Sequence, residues 1–141
     1  MNLPISRLRE QDLDRAAKNC ALFRPMPDSP VNLRLFLADE RNILMVAEVN
    51  GQPVGQIFGY ILQRFDARAP MLFLYSIDVV ESHRRQGIGR RLIERFREIG
   101  RESGCGETFV FTDVSNRPAV KLYAALDGIP TDPDRVMFEW E

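Results

Sequence analysis

The segment ESHRRQGIGRR, residues 81–91, sets four arginines around two glycines spaced two apart, directly behind the apolar run MLFLYSIDVV. A helix beginning at Gly87 or Ile88 leaves its first backbone amides without carbonyl partners, and those amides and the helix dipole attract an anion. Gly87 and Gly89 remove side chains where a phosphate would meet the backbone, and they admit dihedrals that other residues resist. Arg84, Arg85 and Arg90 add charge-assisted donors around the same point. These letters alone leave two readings open, a phosphate cradle and a glycine-softened loop with solvated arginines. Neither common nucleotide fingerprint is met: GxxxxGK has no lysine here, and the third glycine of GxGxxG is absent. His83, the only histidine, directly precedes the arginines and is expected to face the loop exterior.

Composition narrows the setting for that loop. A chain of 141 residues, 45% hydrophobic and 28% charged, fits one domain over residues 1–141 that needs neither disulfides nor a structural metal. The formal net charge of -1 offers no global field for nucleic acid, although residues 83–101 carry seven arginines against Glu94 and Glu98. Cys20 and Cys105 form no CxxC pair and read as small, partly buried side chains, and no metal site is expected. The N-terminal MNLPISRLREQD lacks the apolar core of a signal peptide, and no run approaches transmembrane length, so a cytoplasmic protein without a membrane partner is expected.

The periodicities predict the elements that must position the loop. Residues 3–9 suggest a first strand, and Leu13, Ala16, Ala17 and Cys20 fall at helical spacing behind Asp12 as a cap. PMPDSP ends that helix, and Val31, Leu35 and Ala38 place a short amphipathic helix after it. NILMVAEV and VGQIFGYIL flank Asn50-Gly51, a hairpin signal, with Gly55 and Gly59 on one side of the second strand for close packing or a bulge. MLFLYSIDVV is apolar on both sides and belongs at the centre of a sheet. Ile88, Leu92, Ile93, Phe96 and Ile99 then line one helical face, ETFVFTDV is the next strand, SNRPAVKLYAAL a further helix, and RVMFEWE an alternating terminal strand. The expected class is α+β, mainly antiparallel with parallel pairing near the centre.

IDVVESHRRQGIGRRLIERF resembles the acetyl-coenzyme A motif of the GNAT superfamily of N-acetyltransferases, with Arg84, Gly87 and Gly89 at its defining positions. SNRPAVKLYAAL matches the second signature of that family at Asn116, Ala119, Leu122 and Tyr123. The resemblance implies a mixed, mostly antiparallel sheet of six to seven strands flanked by about four helices and splayed between strands four and five, with acetyl-CoA entering the split. It carries cofactor binding onto Ile77, Asp78, Val79, Arg84, Arg85, Gln86, Gly87, Ile88, Gly89, Arg90, Asn116, Ala119 and Tyr123. The family commonly has a glycine four residues beyond this tyrosine; here Asp127 stands there and Gly128 follows, as one extra residue at the helix exit would explain.

Direct attack by an amine on a thioester requires a polarised carbonyl, a proton acceptor and protonation of the departing thiolate. The resemblance gives the thiolate to Tyr123, with a core residue as the alternative; a strand amide near Val79 is placed to polarise the carbonyl. Asp78 is the candidate base, with Tyr75, Asp113, Glu139 or an ordered water as alternatives, and pairing to Arg84 or another cation is its structural alternative. Tyr75, Asp113 and Glu139 are candidates for the acceptor side. HRRQGI and PAV-x-LY are also similar to the aminoglycoside 3-N-acetyltransferases of type I, although that pattern often has a carboxylate where Ser76 stands. A polycationic acceptor would call on Asp66, Asp78, Asp113, Asp132, Asp134 and Glu139. The leading expectation is acetyl-CoA-dependent acetylation of a small cationic amine, with a protein or peptide N-acetyltransferase and a non-catalytic CoA-binding domain as alternatives. A nucleic-acid partner is not expected, and a homodimer stays open.

Overall fold

The computed structural model describes residues 3–131 and 133–141, so Asp132 lies outside the described residues. The chain forms two compact units, Met1–Phe111 and Thr112–Glu141. The first unit holds β1 (Ile5–Arg7), α1 (Leu13–Ala21), α2 (Val31–Ala38), β2 (Asn42–Val49), β3 (Gln52–Leu62), β4 (Met71–Val79), α3 (Ile88–Glu102) and β5 (Thr108–Val110). Single 3-10 turns, Glu10–Asp12 and Glu81–His83, precede α1 and α3. The second unit holds α4 (Arg117–Ala125).

The sheet runs β1-β2-β3-β4-β5, antiparallel except for the parallel β4–β5 pair. Asn50 and Gly51, at φ 52° and 76°, make the β2–β3 hairpin where the Asn-Gly pair predicts it. β2 is buried on both faces from Ile43 to Ala47, which is why its sequence is a continuous apolar run. One face packs Leu44 and Val46 with Ala16, Cys20 and Leu37 of α1 and α2. On the other, α3 buries Ile88, Leu92, Ile93, Phe96 and Ile99, the stripe read from the sequence. Close approach there depends on glycine: a Cβ on Gly100 would stand 2.5 Å from Leu72 Cδ2.

Several expectations are corrected. Among the described residues the sheet has five strands, not six to seven, and residues 135–141 carry no strand. Alternation alone does not make a strand, since the ladder needs a paired neighbour to satisfy its amides. β5 covers only Thr108–Val110 of the expected ETFVFTDV. In α2 the inward residues are Leu37, Leu33 and Phe36, whereas Val31 and Leu35 are exposed, because a helix apolar nearly all round leaves the choice of face to its partner. Asp12 does not cap α1 through its side chain; its carboxylate accepts from the Arg9 amide at 2.9 Å.

Candidate active site

Two breaks in β4 coincide. Pairing with β5 ends at Leu74–Val110, so Tyr75–Val79 runs on without that neighbour. On the other edge, Ser76 pairs with Phe58 but Leu74 pairs with Gly59, which leaves Tyr75 as an extra residue in a β-bulge. Gly59 admits this geometry, because a Cβ there would lie 2.0 Å from the Phe73 carbonyl oxygen and 2.7 Å from Phe96 Cζ. The fourth strand is therefore open along one edge where its side chains are most polar.

β4 feeds directly into the arginine loop. Gly87 is the N-cap residue of α3 in a left-handed conformation, φ 81°, and no side chain caps the helix. The first-turn residues include no acid, and Arg91 N donating to Gly87 O at 3.1 Å closes the first helical turn. A Cβ on Gly87 would meet nothing within 4 Å, so the space before the turn is open and the glycine serves backbone conformation. Arg85 also adopts a positive φ, 62°, an uncommon state for a side-chain-bearing residue and one that clusters at functional loops. The Arg84 side chain folds back, its Nε donating to Val79 O at 3.1 Å, while Arg90 Nε donates to Glu94 Oε1 at 3.0 Å. Unneutralised amides, a positive helix end and basic side chains are the features that suit a polyanion. His83 Nδ1 lies 2.9 Å from Ser82 Oγ beside it.

The predicted residues sort by element. Tyr75, Ile77, Asp78 and Val79 lie on β4, and Arg84, Arg85, Gln86, Gly87, Ile88, Gly89 and Arg90 continue from it. Ile88 is 1% exposed and packs under Gly55, so only its main chain can serve a ligand. Asp78 is not partnered by Arg84, the first alternative read for it, but by Arg24, whose NH2 lies 3.5 Å from Asp78 Oδ2. Ser76 Oγ also donates to that oxygen at 3.3 Å. Asp66 belongs elsewhere: Arg64 Nε binds its Oδ1 at 2.8 Å, and this guanidinium holds the carboxyl well below its usual range, at about 2.

In the second unit, Asn116 caps α4, its Oδ1 accepting from Ala119 N at 3.3 Å. Tyr123 is half-buried on α4, and Asp113 and Glu139 are exposed. Asp127 takes the left-handed position, φ 64°, that closes the helix, and Gly128 N donates to Tyr123 O at 2.9 Å. Asp127 thus does what a glycine usually does at a helix exit.

Sequence reasoning missed the ground beneath Asp78. Gln56, its register partner on β3, is 1% exposed and accepts from Asn19 Nδ2 at 2.7 Å, a buried polar pair that joins β3 to α1. It also missed a band of rings. Phe58 stacks on Tyr75 at 5.3 Å, Phe73 stacks on Phe109 at 4.7 Å, and Phe36, Tyr60 and Phe111 join at their edges. Burial and the neighbouring Tyr75 push the Tyr60 hydroxyl up, with Arg24 opposing. The signal was the alternation of Gln56, Phe58 and Tyr60 along β3, which puts them on the face of Ser76 and Asp78.

The model of the acetyltransferase (GNAT) family matches residues 10–128, including the open strand, the arginine loop and α4. The chain belongs to the GNAT acetyltransferase family. It is 39% identical over 117 residues to an aminoglycoside N(6')-acetyltransferase type 1 of Serratia marcescens, covering 79% of this chain and 77% of that one. That relative is named for the 6' amine, whereas the sequence resemblance pointed to enzymes named for the 3 amine. A solved aminoglycoside acetyltransferase from an uncultured soil metagenomic sample, in complex with sisomicin, superposes with a TM-score of 0.79 at 26% identity over 99% of this chain and 95% of that one. A ribosomal-protein-alanine N-acetyltransferase of Brucella melitensis shares the fold at a TM-score of 0.78 and 21% identity, over 99% of this chain and 100% of that one. This GNAT chain is accordingly an acetyltransferase by family, with a five-stranded sheet among its described residues. None of its described helices is long and apolar enough to cross a membrane.

Proposed function

We propose that this protein transfers an acetyl group from acetyl-CoA to a primary amine of a small cationic acceptor of the aminoglycoside type. The observation that carries the reading is the run from the open edge of Tyr75–Val79 into the uncapped, acid-free start of α3 at Gly87. When bound, acetyl-CoA supplies an acyl carbon already activated as a thioester. The loop amides at Ile88 and Gly89, with Arg84, Arg85, Gln86 and Arg90 around them, bind the pyrophosphate; main-chain groups of Ile77, Asp78 and Val79 orient the pantetheine. Asn116 and Ala119, joined in the α4 cap, hold the chain's second contact with the cofactor.

In this reading the Asp78 carboxylate accepts the proton that the attacking amine loses, and the Tyr123 hydroxyl holds a proton for the departing sulfur. Tyr75, Asp113 and Glu139 face the acceptor. Support for a cationic acceptor comes from Asp78 and the exposed ring of Tyr75 on β4, with the exposed ring of Phe111 just beyond the end of β5, since carboxylates and aromatic faces both attract ammonium groups. The name of the Serratia relative and the sisomicin bound to the metagenomic enzyme point the same way.

One catalytic domain over residues 1–141 is part of the proposal, supported by a family match that runs across both units. Val136, Met137, Phe138 and Trp140, each at least 71% exposed, support a homodimer formed through the C-terminal segment. The proposed place of action is the cytoplasm. The test is acetyl-CoA turnover, followed by release of free thiol, across aminoglycosides, polyamines, amino acids and peptides. Turnover of sisomicin and polyamines is expected; turnover confined to neutral or acidic amines, or to peptides, would overturn the acceptor assignment.

A further inference from the structure

Arg24 lies in the connector between α1 and α2, yet its guanidinium reaches β4. NH2 stands 3.5 Å from Asp78 Oδ2 and donates to Ser76 Oγ at 3.3 Å. The guanidinium carbon sits 4.7 Å from the centroid of Phe58, which is itself stacked on Tyr75. A carboxylate, a hydroxyl acceptor and an aromatic face are together what recognises an organic cation. The occupant is not held to capacity, because Arg24 Nε is buried without a hydrogen-bond partner. Both charged side chains remain about one-third exposed, 36% for Arg24 and 37% for Asp78, so solvent and solutes reach the pair.

We propose that Arg24 is an internal occupant of the acceptor's cation subsite, and that a cationic acceptor binds Asp78 by displacing it. The proposal deepens the assignment of a cationic amine acceptor and rests on it. An ion pair this exposed changes an equilibrium by only about two- to fivefold, so a substrate ammonium can compete for Asp78. A polycation recovers the loss through its other charges, whereas a neutral ligand has nothing with which to replace the guanidinium. Arg24 in this role sets specificity and does not itself touch the reacting atoms.

The experiment uses the full-length protein loaded with CoA, which binds acceptor without turnover, and calorimetry with sisomicin and spermidine. Arg24→Met keeps an apolar stem over Phe58 and removes the charge; affinity for both cations should rise about two- to fivefold. The gain should vanish when Arg24→Met is made in an Asp78→Asn background, and Arg24→Lys should stay near wild type. Unchanged or weaker binding by Arg24→Met, or a gain that persists without Asp78, overturns the proposal. A second arm is independent of the acceptor's identity. Free methylguanidinium should bind Arg24→Ala, moving the NMR signals of Tyr75 and Phe58, and should not do so in wild type. If wild type neither binds nor acetylates any cation, the acceptor assignment fails by itself; absence of methylguanidinium binding to Arg24→Ala fails the subsite.

Discussion

Replacing Gly59 by alanine tests whether the bulge at Tyr75 is what opens the site. The added Cβ would lie 2.0 Å from the Phe73 carbonyl oxygen and 2.7 Å from Phe96 Cζ. An ordinary carbon–oxygen contact is about 3.3 Å, so the backbone of β4 must retreat by about 1.3 Å. That oxygen is fixed in the sheet, and Phe96 is fully buried beneath it, so neither neighbour yields easily. Overpacking of this kind costs about 3 kcal/mol, the upper part of its usual range, and should lower Tm by roughly 10 °C in a domain of this size. Gly55→Ala is the matched control: its Cβ would meet Leu92 Cδ1 at 3.0 Å, the end of a side chain that can shift. It should cost less than about 1.5 kcal/mol. Urea denaturation gives both values, and turnover of the surviving folded Gly59→Ala protein should fall because Tyr75 and Asp78 move with the strand. Stability within about 1 kcal/mol of wild type together with unchanged turnover would show that the close Gly59–Phe73 approach does not hold the bulge.

Tyr123→Phe keeps the ring and removes the hydroxyl, so kcat should fall on the order of tenfold to a thousandfold with near-normal CoA binding; wild-type turnover would return Tyr123 to a packing role. Asn19→Leu alone strands the buried Gln56 Oε1 and should cost about 1–3 kcal/mol, whereas the double change with Gln56→Leu should be much closer to neutral in urea denaturation. Tyr60 has a raised pKa, so the folded state holds its proton more tightly than the unfolded state. The stabilisation is complete below the unfolded pKa of about 10 and is lost as pH rises from there through the folded value; Tyr60→Phe should flatten that alkaline limb of a Tm–pH profile. Asp127→Gly relieves a left-handed residue and should gain about 1 kcal/mol, read as a higher Tm.

What the sequence disclosed most fully was the part governed by short-range rules. Asn50-Gly51 fixes a hairpin through dihedrals that few other pairs accept, and the α3 stripe from Ile88 to Ile99 repeats often enough to fix its buried face. The arginine loop was legible because its glycines and the start of a helix are neighbours in the chain. Features set by distant partners were not. α2 is apolar at so many positions that only contact with β2 and α1 selects Leu33, Phe36 and Leu37 over Val31 and Leu35. The bulge at Tyr75 arises from a register difference between two strands, which no local pattern in either one reveals.

Arg24 shows the same limit at the site itself. It is 54 positions before Asp78 and follows an unremarkable helix, so nothing in its neighbourhood announces a counter-ion. Its location becomes intelligible only once β3 and β4 are in register, because Gln56 then stands opposite Asp78 and Phe58 opposite Ser76. Those four residues make one polar and aromatic face, and α1 ends close enough for the chain after it to lay a cation there. The arrangement separates charge along a single strand and its continuation. Asp78 presents an anion toward the α1–α2 side, while ten residues later the start of α3 presents amides and arginines suited to a polyanion. A donor rich in phosphate and an acceptor rich in ammonium can therefore approach the same short stretch without like charges meeting. The bulge and the short β5 leave Tyr75–Val79 without a β5 partner, and the proposed site rests on that incomplete pairing.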